Sequence, residues 1–478
     1  AQAQAQAHPN SHPQSHDGKS KLPKDKKKKD AKKQHLTPTP TISAQDISNL
    51  LSPKRLQNLW TSDHPQIRRA LYRLIRGLSQ MSPEIFRDPR PPGIPGKWLL
   101  KPVFTVLGRE KEGSNQIELW GMVLRVWKDH PGEVKILKSP EKAFLGACLR
   151  AIRAIPTYSP QVSKQLFAFT LPLVSLTLRN WEITGSSGPS REIVCMRLID
   201  AIWDAVLNPD SPSVTVGAGI QAYYKSVEFA VTHSKWCDAL QGESMLKTAC
   251  VSRLVECIEG KPHFRTQAVF QEIRRLLDNL EASQTPSKAP WKELGETLAA
   301  EVSREMKNPN SNSANEDTLH RISKAIVAMY GPPPREPKGN ADDAKDGNHG
   351  DAGADSKRKG ALSRNESMYS VVGAVCEAVE RGLDDDDTDG ARVPVLLSAL
   401  CSIGTAGSWT LIDTKMASRL DSLASVCISR AMESPTNPHS PTMVEKAAFL
   451  SKTLPLSPNH VAISSLPVKL VKSKLLLS

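Results

Sequence analysis

Histidine and cysteine are the side chains that most often bind metal ions or attack substrates, and their spacing in this chain favours neither role. The 478 residues include twelve His and eight Cys, with no Cys-x-x-Cys pair and, after residue 41, no His-x-x-x-His spacing. His8, His12 and His16 do have that spacing, but their segment has nothing that would hold a helix, so we expect no metal site there. The cysteines fall mostly in apolar helical stretches and are expected to be buried thiols in a reducing compartment.

Two further segments offer ligands for a metal ion or a phosphate. Asp384–Asp387 with Asp389 lacks the alternate spacing and the glutamate of a calcium loop, so it is interpreted as a solvated acidic loop. Gly185–Gly188 lacks the Lys-Ser or Lys-Thr that would reach a phosphate, and no Gly-x-Ser-x-Gly elbow occurs. The sequence therefore predicts no catalytic residue, cofactor, metal ion or small-molecule substrate in this chain.

Two groups of basic residues are the features most suggestive of a binding partner. Four arginines, which we call the arginine row, lie on the side of a predicted helix away from its apolar face. Arginine donates paired hydrogen bonds to phosphate. A lysine run lies in residues 1–40, which hold nine Lys and three Asp of a chain with net charge +13. The candidate contacts to RNA are Arg68, Arg69, Arg73, Arg76, Lys26, Lys27, Lys28 and Lys29. The alternatives are a solvated helix face and a flexible tail, which could also be an import or membrane signal.

Apolar residues recur at three- and four-residue intervals along most of the chain, which predicts amphipathic helices. About a dozen are predicted between Ile42 and Tyr330, among them Val162–Leu178, Met245–Ile258 and Trp291–Met306, and more from Met368 to Leu454. Val214–Val216 is the one tempting strand, and it is too short to outweigh the helices around it. One helix should begin at the cap-and-proline signal of residues 62–65. The stripe expected to pack against its neighbour is Ile67, Leu71, Leu74, Ile75 and Leu78.

Single apolar faces joined by short connections indicate antiparallel helix pairs. So many of them favour an all-α, HEAT/ARM-like α-solenoid over a compact bundle, because one core is hard to extend beyond roughly 250 to 300 residues. Stretches rich in Pro, Gly or charged residues divide the chain into five expected segments. These are a disordered basic tail over 1–41, a solenoid over 42–330, a disordered linker or insertion over 331–366, further helical repeats over 367–456 and an irregular end over 457–478.

Two segments resemble a known family. His64-Pro65-Gln66-Ile67-Arg68-Arg69-Ala70-Leu71-Tyr72-Arg73-Leu74 is similar to a HEAT-repeat helix in the N-terminal half of listerin-type ubiquitin ligases. Residues 118–124, Glu-Leu-Trp-Gly-Met-Val-Leu, followed by Lys128-Asp129-His130-Pro131, resemble that family's leucine-tryptophan helix ending in a proline. The resemblance covers about 70 residues, and the spaced Cys and His ligands of a RING domain do not occur in this chain.

The resemblance implies a RING-less scaffold portion of a ligase that docks on the large (60S) ribosomal subunit carrying a stalled nascent chain. The basic tail and the arginine row would then be ribosomal contacts, and the protein would work in the cytoplasm. The alternative is a general HEAT-repeat adaptor in nucleocytoplasmic transport or complex assembly, in which the tail allows a nuclear location. Neither role requires a membrane, and no run of about 18 apolar residues occurs.

Overall fold

The computed structural model describes residues 53–81, 103–107, 109–131, 141–180, 191–209, 211–233, 240–260, 266–282, 290–307, 314–331, 354–384, 392–405 and 412–454. Within these ranges the regular elements are helices and no strand occurs, which confirms the all-α prediction. Val214–Val216 lies in a helix, as expected. The predicted tail 1–41 and the irregular end 457–478 lie outside the described residues.

The first half of the described chain holds nine helices and one short 3₁₀ turn, Ile155–Thr157. They are α1 Pro53–Trp60, α2 Pro65–Met81, α3 Val103–Val106, α4 Gly113–Asp129, α5 Glu141–Arg153, α6 Pro160–Ala168, α7 Thr170–Asn180, α8 Arg191–Val206 and α9 Ser213–His233.

A second series of helices follows, with one π-helical turn at Thr248–Ser252. They are α10 Leu240–Lys247, α11 Arg253–Ile258, α12 Thr266–Ala282, α13 Trp291–Met306, α14 Ala314–Tyr330, α15 Ala354–Asp384, α16 Arg392–Thr405, α17 Thr414–Glu433 and α18 Ser440–Thr453.

Several helices begin or end at residues that favour helix termini, namely proline, aspartate and glycine. Pro160 starts α6, where its missing N–H costs nothing, and the Asp413 side chain accepts a 2.7 Å hydrogen bond from the Met416 N–H at the start of α17. After α11, Gly260 has φ of 79°, a left-handed conformation that suits a residue without Cβ. These signals explain why most predicted stretches end within a few residues of the observed helices.

Three boundaries differ from the sequence-based expectation. The stretch Val162–Leu178 divides at Phe169, because Pro172 cannot donate the N–H that would continue α6 into α7. The stretch Met245–Ile258 is interrupted by the π turn, whose Ala249 carbonyl accepts a 2.8 Å bond from Tyr224 Oη. Helix α15 begins at Ala354, inside the linker predicted over 331–366, although large apolar residues are sparse before Met368.

The core runs between helices that are close in sequence. Helix α2 packs on α4, α5 on α8, α9 on α12, α12 on α14, α14 on α16 and α16 on α18, while α13 packs on α15 and α15 on α17. Each of these helices contributes a buried apolar face. The largest fully buried side chains include Trp60, Trp120, Trp127, Trp203 and Trp291, so these five tryptophans are core residues.

Candidate binding surface

The arginine row lies at the contact between α2 and α4. Arg68 is held by a bidentate ion pair: its Nε and Nη2 donate to the two carboxylate oxygens of Glu110, each at 2.8 Å. Its Nη1 also donates to the Ser62 carbonyl at 2.6 Å, which ties the helix to its own N-terminal loop. The Arg68 guanidinium is therefore engaged within the fold and does not present its fork to a ligand.

Glu110 is the buried centre of this network, with a side chain only 1% exposed. It also accepts hydrogen bonds from Tyr72 Oη at 3.1 Å and from the Glu112 N–H at 3.2 Å. Burial would raise the pKa of Glu110, but the bonds from Arg68 and Glu112 outweigh it and hold the pKa below the ordinary value. Glu110 is thus a charged structural anchor near neutral pH and not a proton donor.

The remaining three arginines contact α4 directly. Arg69 donates to Asn115 Oδ1 at 2.8 Å and to the Ser114 hydroxyl, while buried Asn115 donates back to the Pro65 carbonyl at 2.8 Å. Arg73 binds Glu118 at 2.6 Å, and Arg76 lies 3.8 Å from the same carboxylate. Their side chains are 63% and 49% exposed, so one carboxylate serves two accessible guanidinium groups.

The structure thus divides the predicted contact residues into two pairs. Arg68 and Arg69 hold helices together, whereas Arg73 and Arg76 remain accessible at the edge of α2. Lys26–Lys29 lie outside the described residues. The sequence alone did not reveal the pairing because Glu110 and Glu118 lie more than 40 residues away.

The predicted apolar stripe of α2 is only partly buried. Leu71, Ile75 and Leu78 are buried as expected, but Ile67 is 40% exposed and Leu74 is 38% exposed. The prediction was wrong for these two residues because the side of α2 that meets its neighbours is centred on Leu71 and Ile75 and includes Tyr72. Ile67 and Leu74 lie at the margin of that side, together with exposed Ala70.

A shallow cleft of about 290 Å³ adjoins the buried Glu110 network. Its lining includes the basic residues Arg109 and Lys111 and buried Trp60, whose indole Nε1 has no hydrogen-bond partner among the described residues. The lining residues are Trp60, Thr61, Ser62, Asp63, Arg68, Val106, Arg109, Glu110 and Lys111. Glu110, one of the two carboxylates in this lining, is neutralised by Arg68 and is not free to act as a general acid or base.

The cysteine thiols among the described residues are buried and weakly acidic. Seven cysteines are buried, as predicted, and burial raises the pKa of Cys250, Cys257, Cys376 and Cys427 to about 12 and of Cys401 to about 11. Such thiols are not thiolates at neutral pH and make poor nucleophiles. Cys237 lies outside the described residues. Across the described part of the chain, no three His, Cys, Asp or Glu side chains come together as a metal site.

Sequence reasoning missed two polar clusters inside the helix array. The Cζ atom of Arg253 lies 4.8 Å from the centroid of the Trp203 ring, and its guanidinium donates a 2.6 Å hydrogen bond to Glu256. Trp203 Nε1 donates to the same carboxylate at 3.0 Å. On α13, Glu301 and Glu305 are both buried, and burial raises the pKa of each above the ordinary value. The only signal in the sequence was polar residues within apolar helical stretches.

No protein-family model matches the chain, and no curated protein matches it. In the described ranges, no helix has both the length and the apolar character needed to cross a membrane.

Proposed function

We propose that this chain is a non-catalytic scaffold of HEAT-like helical repeats that binds other macromolecules along its surface. The observation that carries the proposal is that many hydrogen bonds between different segments, from side chain to side chain or between side chain and backbone, join residues about 40 to 55 apart along the chain. Examples are Arg68 to Glu110 (42 residues apart), Arg69 to Asn115 (46), Arg153 to Asp204 (51), Trp203 to Glu256 (53), Arg274 to Ala328 (54), Tyr369 to Asp413 (44) and Cys401 to Lys446 (45). HEAT and armadillo units are about 40–47 residues long, and four of these seven separations, 42, 46, 44 and 45, fall in that range.

The direction of these helices supports the same proposal. Arg364 of α15 lies over the Trp291 ring of α13, and Ser367 lies against Gly295, so the two helices run the same way. Tyr369 bonds to Asp413, and Glu380 further along α15 bonds to Arg419, so α15 and α17 also run the same way. Equivalent helices of stacked helix pairs are parallel in an α-solenoid, and each unit contacts only its neighbours.

In its specific form, we propose that the scaffold belongs to a listerin-type ubiquitin ligase and docks on the 60S ribosomal subunit in the cytoplasm. The two segments that resemble this family form α2 and α4, which pack together with one continuous set of polar contacts. Exposed Arg73 and Arg76 would contact ribosomal RNA or an acidic ribosomal protein.

A general HEAT adaptor in transport or assembly is the second candidate. Exposed Ile67 and Leu74 favour it, since aliphatic side chains suit a protein partner better than RNA, whose bases are usually stacked on aromatic rings.

Co-sedimentation with purified 60S particles separates these candidates. The intact chain, a chain lacking residues 1–40 and the double variant Arg73→Glu/Arg76→Glu are compared at low and moderate salt. The ribosomal proposal predicts that the tail-deleted chain still sediments with 60S at moderate salt and that the double variant does so several-fold less. Binding that requires the tail and disappears with salt would be counterion release by lysines, and the adaptor would replace the ribosomal role.

A further inference from the structure

The short segment before α6 carries a serine whose hydroxyl is exposed and free. The side chain of Ser159 has no hydrogen-bond partner among the described residues, although Ser159 is the N-cap residue of α6. Its φ of −58° and ψ of 151° are extended, as expected for a residue that precedes proline. Pro160 is exposed as well. Ser159 and Pro160 therefore form an accessible Ser-Pro dipeptide.

We propose that Ser159 is a phosphorylation site for a proline-directed protein kinase, the class of kinase that modifies serine or threonine followed by proline. In this reaction Ser159 Oγ attacks the γ-phosphorus of ATP, the bond from that phosphorus to the β,γ-bridging oxygen breaks, and ADP leaves. The hydroxyl proton passes to the catalytic base of the kinase. The site is an addition to the proposed scaffold function and does not depend on it.

Two other Ser-Pro dipeptides are held within the fold. Ser440 is 1% exposed, and its hydroxyl donates a 2.8 Å hydrogen bond to the Ser434 carbonyl. Ser211 is half-buried, and its hydroxyl donates to the Ala205 carbonyl at 3.4 Å. Both hydroxyls must leave these positions before a kinase can reach them, and such local opening is populated only in a fraction of the molecules.

Ser434, the fourth serine before a proline among the described residues, is exposed but lies in a closed turn. Its φ of −120° and ψ of 66° are not extended. Its carbonyl accepts hydrogen bonds from the Asn437 N–H at 3.2 Å and from the Ser440 hydroxyl at 2.8 Å. A kinase binds its target segment extended, so this turn must open first.

At Ser159 the backbone needs less rearrangement. Tyr158 before it is extended, with φ of −88° and ψ of 170°. The residues after it form the first turn of α6, and helix ends fray. Among the Ser-Pro dipeptides in the described ranges, Ser159 is thus the one that combines an exposed, unbonded hydroxyl with an extended backbone.

A phosphate on Ser159 would stabilise the start of α6. The N–H groups of Gln161 and Val162 lie in the first turn, where a helix supplies no carbonyl partner, and Pro160 has no N–H. Phosphorylation adds about two negative charges and three acceptor oxygens at the positive end of the helix dipole. Helix α6 packs on α4 and α9, so phosphorylation would make one joint of the helix array more rigid.

The first test is treatment of the full chain with a purified kinase of the mitogen-activated class and ATP, followed by peptide mapping with mass spectrometry. Short synthetic peptides centred on the four serines give the reference rates without the fold. Relative to its peptide, Ser159 should be modified about tenfold or more faster than Ser440. Ser159→Ala should remove this modification, and the control Ser440→Ala should leave it unchanged.

Hydrogen–deuterium exchange of the modified chain tests the structural effect. The amides of Gln161 and Val162 should exchange several-fold more slowly after phosphorylation. Ser159→Asp places a carboxylate at the same N-cap and should slow the same amides less. Ser159→Ala should leave them unchanged, because the hydroxyl makes no cap bond.

Two results would overturn the proposal. One is modification of Ser159 that is no faster, relative to its peptide, than modification of buried Ser440. The other is unchanged exchange of Gln161 and Val162 in the phosphorylated chain. Neither readout uses ribosomal particles, so both are separate from the co-sedimentation test.

Discussion

At the scale of single residues, the best-defined interaction is the Arg68–Glu110 pair. The pair joins the start of α2 to the turn before α4, and Tyr72 completes the hydrogen bonds of the carboxylate. Removing one partner of a buried pair leaves the other charged and unsolvated, which costs more than the pair itself contributes. The pair is therefore more important for the integrity of the first helices than its position near the surface suggests.

We expect Arg68→Met to lower the free energy of unfolding of this region by about 3 kcal/mol, because Glu110 would lose its bidentate partner in a buried position. The matched control is Arg73→Met, whose side chain is 63% exposed and whose loss should cost about 0.5 kcal/mol or less. Urea unfolding followed by circular dichroism measures both. Equal losses in the two variants would mean that burial does not govern this ion pair.

The pKa of Glu305 is raised, whereas that of Glu110 is lowered. Burial raises the pKa of Glu305 despite the nearby charges of Arg392, Arg304 and Arg321, so the folded chain binds a proton there more readily than the unfolded chain. This tighter proton binding stabilises the folded chain below about pH 4.3, the ordinary glutamate pKa. The stabilisation is lost as the pH rises through the pKa that Glu305 has in the folded chain.

We therefore expect Glu305→Gln to raise the thermal midpoint at pH 8 and to have little effect at pH 4. Glu296→Gln on the same helix, whose side chain is 58% exposed, should not change the midpoint at either pH. Differential scanning fluorimetry across this range gives the comparison. A variant that is equally destabilised at both pH values would show that Glu305 makes a required ionic contact.

At the scale of elements, glycine determines how closely α13 and α15 approach. A Cβ on Gly295 would lie 2.8 Å from the Ser367 carbonyl oxygen, which is backbone and cannot rotate away. Gly373 on α15 has nothing within 4 Å of the same position. The two glycines thus differ in function, although both lie in helices where glycine is unfavourable.

Gly295→Ala should cost about 1–3 kcal/mol through overpacking against Ser367. Gly373→Ala should stabilise the protein by about 0.5–1 kcal/mol, since alanine favours the helix and meets no neighbour. Chemical unfolding of the two variants beside the unaltered chain tests the pair. Stabilisation by Gly295→Ala would show that α13 and α15 can move apart freely.

The helices were largely predictable from the sequence, but their contacts were not. Apolar spacing and the cap at Pro65 indicated α2 correctly, and Trp291–Met306 was predicted with its observed bounds. The exposure of Ile67 and the pairing of Arg68 depend on which neighbour covers which side, and that information lies more than 40 residues away. The π turn at Thr248–Ser252 likewise has no signature in apolar spacing.

At the scale of the whole molecule, the central claim is that repeats interact with their sequence neighbours. In a one-dimensional array, damage to one unit spreads only as far as the interfaces it weakens, whereas a compact domain usually unfolds as one cooperative unit. The bonds between residues 42 to 46 apart, close to one repeat length, are the contacts through which neighbouring units would be coupled.

Hydrogen–deuterium exchange of the Arg68→Met variant tests this claim most directly. The account predicts faster exchange in α1, α2 and α4, with amides of α16, α17 and α18 exchanging as in the unaltered chain. Equally accelerated exchange from α2 to α18 would contradict it, because the chain would then be one cooperative bundle and not a series of stacked repeats.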